Sequence, residues 1–174
     1  RTRRTGRKNL HIGLALHSLR AVTPDEVHAA LAGMRAMDAK ARLHIHVSET
    51  THEVAEVKAG LGARPVQWLL DNVGLGPDWC LVHATHLDEF EIAGLARSGA
   101  VAGLCPLTEA TMGDGFFPLV EYRNEHQDSN RQFFTVNPTA PSTSFCPAKI
   151  PTSVLRIVSP SKMWCCDAIT SNTR

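Results

Sequence analysis

Between Leu43 and Glu49 the chain reads Leu-His-Ile-His-Val-Ser-Glu, and these seven residues carry its sharpest chemistry. Side chains alternate between the faces of a strand, so Leu43, Ile45 and Val47 would share one face and His44 and His46 the other. A neutral imidazole binds a divalent metal, and a carboxylate three residues further on can accept a proton from water at that metal and hand it back. His46 and Glu49 have those types at that spacing. The arrangement suits hydrolysis; a packed or hydrogen-bonded histidine pair is the plainer alternative. Other polar residues also follow apolar runs: His17 and Arg20 after 11–16, His83 and His86 around the end of 79–84, Thr108 and Glu109 after 100–105.

Such groups act only if regular elements hold them. The runs 11–16, 41–47, 79–84 and 100–105 read as strands, and the segments between them read as amphipathic helices. Thr23-Pro24-Asp25-Glu26 has a cap, a proline at the first helical position and a glutamate at the reciprocal position, with Val27, Ala30, Leu31 and Met34 as the apolar stripe. Thr50-Thr51-His52-Glu53 repeats the capping-box spacing and opens a second helix that Gly60 and Gly62 end. Pro65 to Gly74 and Asp88 to Gly99 bound two more. Strands alternating with helices predict an α/β fold of parallel βα units. In an α/β barrel reactive groups sit where strands end, and the polar residues above fall at those places.

Composition sets bounds. The 174 residues are 43 % apolar and 20 % charged, ordinary for a globular domain, and the net charge of +1 argues against nucleic acid or an anionic membrane as main partner. No apolar run reaches the 18 residues of a membrane span, and the start lacks a signal peptide's apolar core, so the expected compartment is the cytoplasm. Residues 1–9 form a basic start, expected to be poorly ordered. All twelve glycines lie at or before Gly115, whereas 123–174 hold none and contain five of the ten prolines. That tail is expected to be irregular, with Val154 to Val158 as a possible edge strand. Cys80 and Cys105 lie in apolar runs and read as buried thiols; the five cysteines form no metal or disulfide framework.

Consecutive stretches carry a family resemblance. His17-Ser18-Leu19-Arg20-Ala21-Val22, Leu43 to Glu49, Trp68-Leu69-Leu70-Asp71-Asn72-Val73-Gly74-Leu75, Leu81-Val82-His83-Ala84-Thr85-His86-Leu87, Cys105-Pro106-Leu107-Thr108-Glu109-Ala110 and Gly113-Asp114-Gly115-Phe116-Phe117-Pro118 resemble the formimidoylglutamate deiminases of the amidohydrolase superfamily. The resemblance runs over 10–122. It implies a metal-dependent (β/α)8 TIM barrel, with zinc as cofactor, that hydrolyses the small-molecule substrate N-formimidoyl-L-glutamate to N-formyl-L-glutamate and ammonia. By motif, His46 resembles the zinc ligand of the fifth barrel strand, Glu49 the proton shuttle and His83 the sixth-strand histidine that polarises the substrate or steadies the attacking hydroxide. His17 and Arg20 resemble substrate-binding residues, and a guanidinium fork suits a glutamate carboxylate.

Plainer readings stay open beside these. His44 reads as barrel filling, His86 as a cap for the following helix, His28 and His52 as solvent-facing, and Arg20 as a partner for a nearby acid. Glu109 and Asp114 could contact substrate or hold their loop. The family's four metal ligands begin with a His-x-His on the first strand and end with an aspartate on the eighth, and only His46 matches among them. A whole barrel takes about 250 residues. About four βα units are expected here, a partial barrel inactive alone, with open edges that favour self-association or a family-like homo-oligomer. After Tyr122 the family-like text stops, which reads as a shifted reading frame in 123–174. A related aminohydrolase with another substrate and a non-catalytic interaction fragment are the alternatives.

Overall fold

The computed structural model describes residues 12–125 together with strand residues 133–136 and 155–158. The expected basic start, and the tail apart from those two strands, lie outside the described residues. The chain runs β1 (Leu14–Ala15), α1 (Pro24–Met37), β2 (Leu43–Val47), α2 (Thr51–Leu61), α3 (Pro65–Asn72), β3 (Trp79–His83), α4 (Glu89–Ser98), β4 (Val101–Leu104), α5 (Pro106–Met112), α6 (Leu119–Glu125), β5 (Phe133–Val136) and β6 (Leu155–Val158). All strand pairings are parallel and the strands lie in sequence order, β1 to β6. Four βα units therefore occur as expected, followed by two further strands. Leu155–Val158 is the edge strand expected in the tail, and β5 is a further strand that the sequence pattern does not announce.

Helix boundaries follow the local chemistry. At α1 the Thr23 side chain accepts from Glu26 N and the Glu26 carboxylate from Thr23 N, a complete capping box. Gly62 and Gly99 close α2 and α4 at φ 77° and 79°, left-handed positions where an L side chain is strained. The helices α5 and α6, seven residues each, are too short to show a helical period, although Pro106 at the first turn of α5 and Gly113 beyond it are the usual start and stop residues.

Leu43, Ile45, Val47, Trp79 and Leu81 belong to one buried core with Val27 and Met34 of α1, Val57 of α2, Val66 and Leu69 of α3, and Ile92 and Leu95 of α4. Burying each such aliphatic contributes about 1.5–3 kcal/mol, so this layer carries the fold. On β2 the alternate residues are more accessible: His44 is intermediate and His46 exposed, as alternation requires. Register sets Val47 opposite His83 and Ala15 opposite His44, so the exits of β1, β2 and β3 lie side by side. No helix among the described residues is long and apolar enough to cross a membrane.

Candidate active site

Three imidazoles stand in a row across neighbouring strand exits. The rings of His17 and His46 have centroids 5.5 Å apart, and those of His46 and His83 5.6 Å apart. A cavity of about 220 Å³ opens here, lined by His17, Ser18, Arg20, His46, Glu49, Glu53 and His83. The five residues singled out in the sequence thus share one cavity. A larger, shallow concavity of about 440 Å³ lies before the starts of β2 and β3, around Arg35, Arg42 and Asp78; it is lined by no imidazole.

Backbone conformation builds the row. His17, Ser48, His83 and Ala84 have φ of 63°, 52°, 69° and 49°. Left-handed backbone costs a non-glycine residue about 1–2 kcal/mol, and surrounding bonds must hold it. Those bonds are present: His46 N donates to His17 O at 2.7 Å, Ala84 N to Val47 O at 2.9 Å and His86 N to Ser48 O at 2.9 Å. Extended alternation alone would place His83 with Trp79 and Leu81, yet its ring lies beside His46.

The three rings have different partners. His46 Nδ1 lies 3.0 Å from His17 O, a carbonyl that can only accept. Nδ1 therefore carries a hydrogen, and in the neutral ring Nε2 is the nitrogen with a lone pair for a metal. His83 is buried between two carboxylates, its Nε2 3.2 Å from Glu49 Oε1 and its Nδ1 3.2 Å from Glu109 Oε1. Burial opposes its charge, but Cys105, Glu109 and Glu49 outweigh burial and raise the imidazole to about 10. His83 is then an imidazolium at neutral pH. His44, deeper on β2, has its pKa lowered by burial and by the charges of His46 and Arg42, which agrees with barrel filling.

Glu109 is buried, and its Oε1 accepts from Cys105 N at 2.8 Å as well as facing His83; it supports the site through its loop. His86 does not cap the following helix. Asp88 does, because it lies at the N-cap position and its carboxylate reaches Glu91 N, while His86 Nε2 meets Asp114 O at 2.6 Å. Arg20 lines the cavity and also pairs with Glu56 at 3.3 Å. His28 and His52 are exposed on their helices. The capping box expected at Thr50 is half formed: Thr50 Oγ1 accepts from Glu53 N, but the Glu53 carboxylate goes to Ser48 N and Glu49 N.

The donor set fits a metal in part. His46 Nε2 is an available imidazole ligand, one of the three protein ligands that a catalytic zinc usually takes. His83, Cys105 and Glu109 also converge, with ligand atoms within 4.8 Å of one another. In that group His83 Nδ1 and Glu109 Oε1 already face each other, and the same oxygen accepts the Cys105 amide. It serves as a hydrogen-bonded support behind His83.

Residues 3–134 match the amidohydrolase family. A formimidoylglutamate deiminase of Pseudomonas aeruginosa is 51 % identical over 111 residues, covering 64 % of this chain and 24 % of that protein. A 5-methylthioadenosine/S-adenosylhomocysteine deaminase of Saccharophagus degradans is 36 % identical over 110 residues, 63 % of this chain and 24 % of its own length. The chain thus spans about a quarter of the length of these relatives. Among solved structures, an amidohydrolase from Brucella melitensis superposes with a TM-score of 0.62 at 45 % identity, over 71 % of this chain and 26 % of its own. A zinc-bound adenosine deaminase from Xanthomonas campestris gives 0.60 at 26 % identity, over 65 % and 25 %.

Proposed function

The chain belongs to the amidohydrolase family, and from that premise we propose that it supplies the proton-transfer arc of a deiminase. The reaction is zinc-dependent hydrolysis of N-formimidoyl-L-glutamate to N-formyl-L-glutamate and ammonia, a step of histidine degradation. The observation that carries the reading is the single cavity of about 220 Å³ lined by His17, Arg20, His46, Glu49 and His83. The 51 % identity to the Pseudomonas aeruginosa deiminase supports the choice of substrate.

His46 Nε2, together with further ligands, would hold the zinc, which when bound would supply Lewis acidity for hydrolysis at neutral pH. Glu49 takes the proton of the attacking water and delivers it to the departing nitrogen, which leaves as ammonia. His83, whose Nε2 lies next to Glu49, steadies negative charge as it develops at the reacting carbon's substituents by hydrogen bonding. Arg20 binds a substrate carboxylate with its guanidinium fork, and His17, at one end of the ring row, lines the same cavity. The Arg20–Glu56 pair is exposed on both sides, so it is worth at most about 1 kcal/mol and yields readily to substrate.

A related aminohydrolase acting on another substrate is the second reading, favoured by the 36 % identity to the methylthioadenosine deaminase. A segment exchange separates the two. Residues 10–122 replace the matching segment of the Pseudomonas aeruginosa enzyme, and ammonia release is followed with each substrate in the presence of zinc. Release from N-formimidoyl-L-glutamate alone is the expected result. A folded, zinc-loaded chimera that turns over only 5-methylthioadenosine, or neither compound, overturns the proposal.

A further inference from the structure

Three helices open with Thr or Asp followed three residues later by Glu: Thr23 with Glu26, Thr50 with Glu53 and Asp88 with Glu91. In the first and third the glutamate returns to its own cap, reaching Thr23 N at 2.8 Å and Asp88 N at 3.2 Å. That is the reciprocal cap expected from the spacing. Glu53 does something else with the same spacing. Its Oε1 accepts from Ser48 N at 3.0 Å and its Oε2 from Glu49 N at 2.9 Å, two residues and one residue upstream of the cap. The carboxylate is 1 % exposed and still borders the cavity.

We propose that Glu53 is the positioning residue for Glu49, clamping the backbone of Ser48 and Glu49 so that the Glu49 carboxylate stays beside His83. Ser48 sits at φ 52° and needs external support to stay there. Its carbonyl is held by His86 N at 2.9 Å, but its own hydroxyl, though buried, has no protein partner among the described residues. The two amide bonds to Glu53 are therefore the support on the N–H side. They are charge-assisted and enclosed, the stronger class of hydrogen bond. Glu49 begins one residue after that strained turn, and its Oε1 reaches His83 Nε2 at 3.2 Å. A proton carrier works only within hydrogen-bond reach of its partner, so a small rotation at Ser48 would take it out of range.

The functional meaning rests on the reading of Glu49 as proton carrier; the geometry can be tested without turnover. NMR on the whole 174-residue chain compares Glu53→Gln and Glu53→Ala with the unaltered protein. Glutamine keeps one acceptor and turns an NH2 group toward the other amide. In Glu53→Gln, hydrogen exchange at Ser48 or Glu49 is expected to accelerate by about tenfold, as loss of one such bond requires. The amides of Ile45 and Val47 keep their rates, and the His83 Nε2–H resonance, which reports contact with Glu49, shifts or broadens. Glu53→Ala extends the acceleration to both amides; if it fails to fold, the glutamine variant decides alone. Unchanged exchange at both amides, an unmoved His83 resonance, or uniform acceleration through β2 and α2 overturns the clamp. None of these readouts requires deiminase activity, so failure of the functional reading and failure of the clamp are distinguishable.

Discussion

Replacing Glu91 by glutamine changes one oxygen of a fully enclosed carboxylate into an NH2 group. Oε1 of Glu91 accepts from Val66 N at 3.0 Å and Gln67 N at 3.2 Å, and Oε2 from Arg64 Nε at 2.8 Å and Asp88 N at 3.2 Å. With the amide oxygen turned to α3, the NH2 group faces two other donors. The Asp88 amide loses its acceptor, a cost of about 1–1.5 kcal/mol, and Arg64 loses a buried anion. Arg64 is 27 % exposed and retains Asp88 Oδ2 at 3.0 Å, so its loss is a similar amount rather than the full cost of an unpaired buried charge. The sum is about 2–3 kcal/mol, equivalent to a fall of roughly 5–10 °C in Tm for a chain of this size. Alanine leaves the Val66, Gln67 and Asp88 amides without an acceptor and Arg64 with Asp88 as its remaining anion, and should cost about 4–5 kcal/mol, a large part of the stability of an ordinary domain. Urea unfolding followed by circular dichroism measures both. A glutamine variant within about 0.5 kcal/mol of the parent would refute the reasoning, because exposed substitutions also fall in that range.

Other consequences follow from the same geometry. In the metal-free chain His83 is raised to about 10 from an ordinary 6.5, so the stability its imidazolium contributes is complete below about pH 6.5 and is lost as pH climbs toward 10. The urea midpoint should fall over that range, and His83→Gln should remove that part of the slope. A Cβ on Gly103 would lie 2.8 Å from Cys80 Sγ, so Gly103→Ala should cost about 1–3 kcal/mol and Cys80→Ala should restore part of it, measured as a double-mutant cycle. In the exchanged enzyme, Arg20→Lys should raise KM for N-formimidoyl-L-glutamate by about tenfold with little change in kcat, because lysine keeps the charge and loses the fork. An unchanged KM would remove Arg20 from the substrate site.

Strand alternation and cap chemistry were readable because each depends on a few adjacent residues. Leu43, Ile45 and Val47 are buried and His46 exposed, as period two requires, and Thr23 with Glu26 forms the box its spacing announces. The same spacing at Thr50 and Glu53 gave only half a box, since the destination of a flexible carboxylate depends on which amides the turn presents. His83 shows a second limit. Its left-handed φ is imposed by neighbouring strands on a residue without glycine's freedom, and no local pattern encodes it. Glu109 lies at the fourth position of a seven-residue helix too short to show a period, so its two bonds, to the Cys105 amide and to His83, emerge only from the fold.

The most direct measurement is the rate of ammonia release from N-formimidoyl-L-glutamate by the exchanged enzyme, with and without Glu49→Gln, alongside its zinc content. The account predicts that the substitution lowers kcat by about 10²–10⁴, the usual worth of a positioned general acid–base, while zinc stays bound because His46 is untouched. A zinc-loaded Glu49→Gln enzyme that turns over at the parent rate would contradict it.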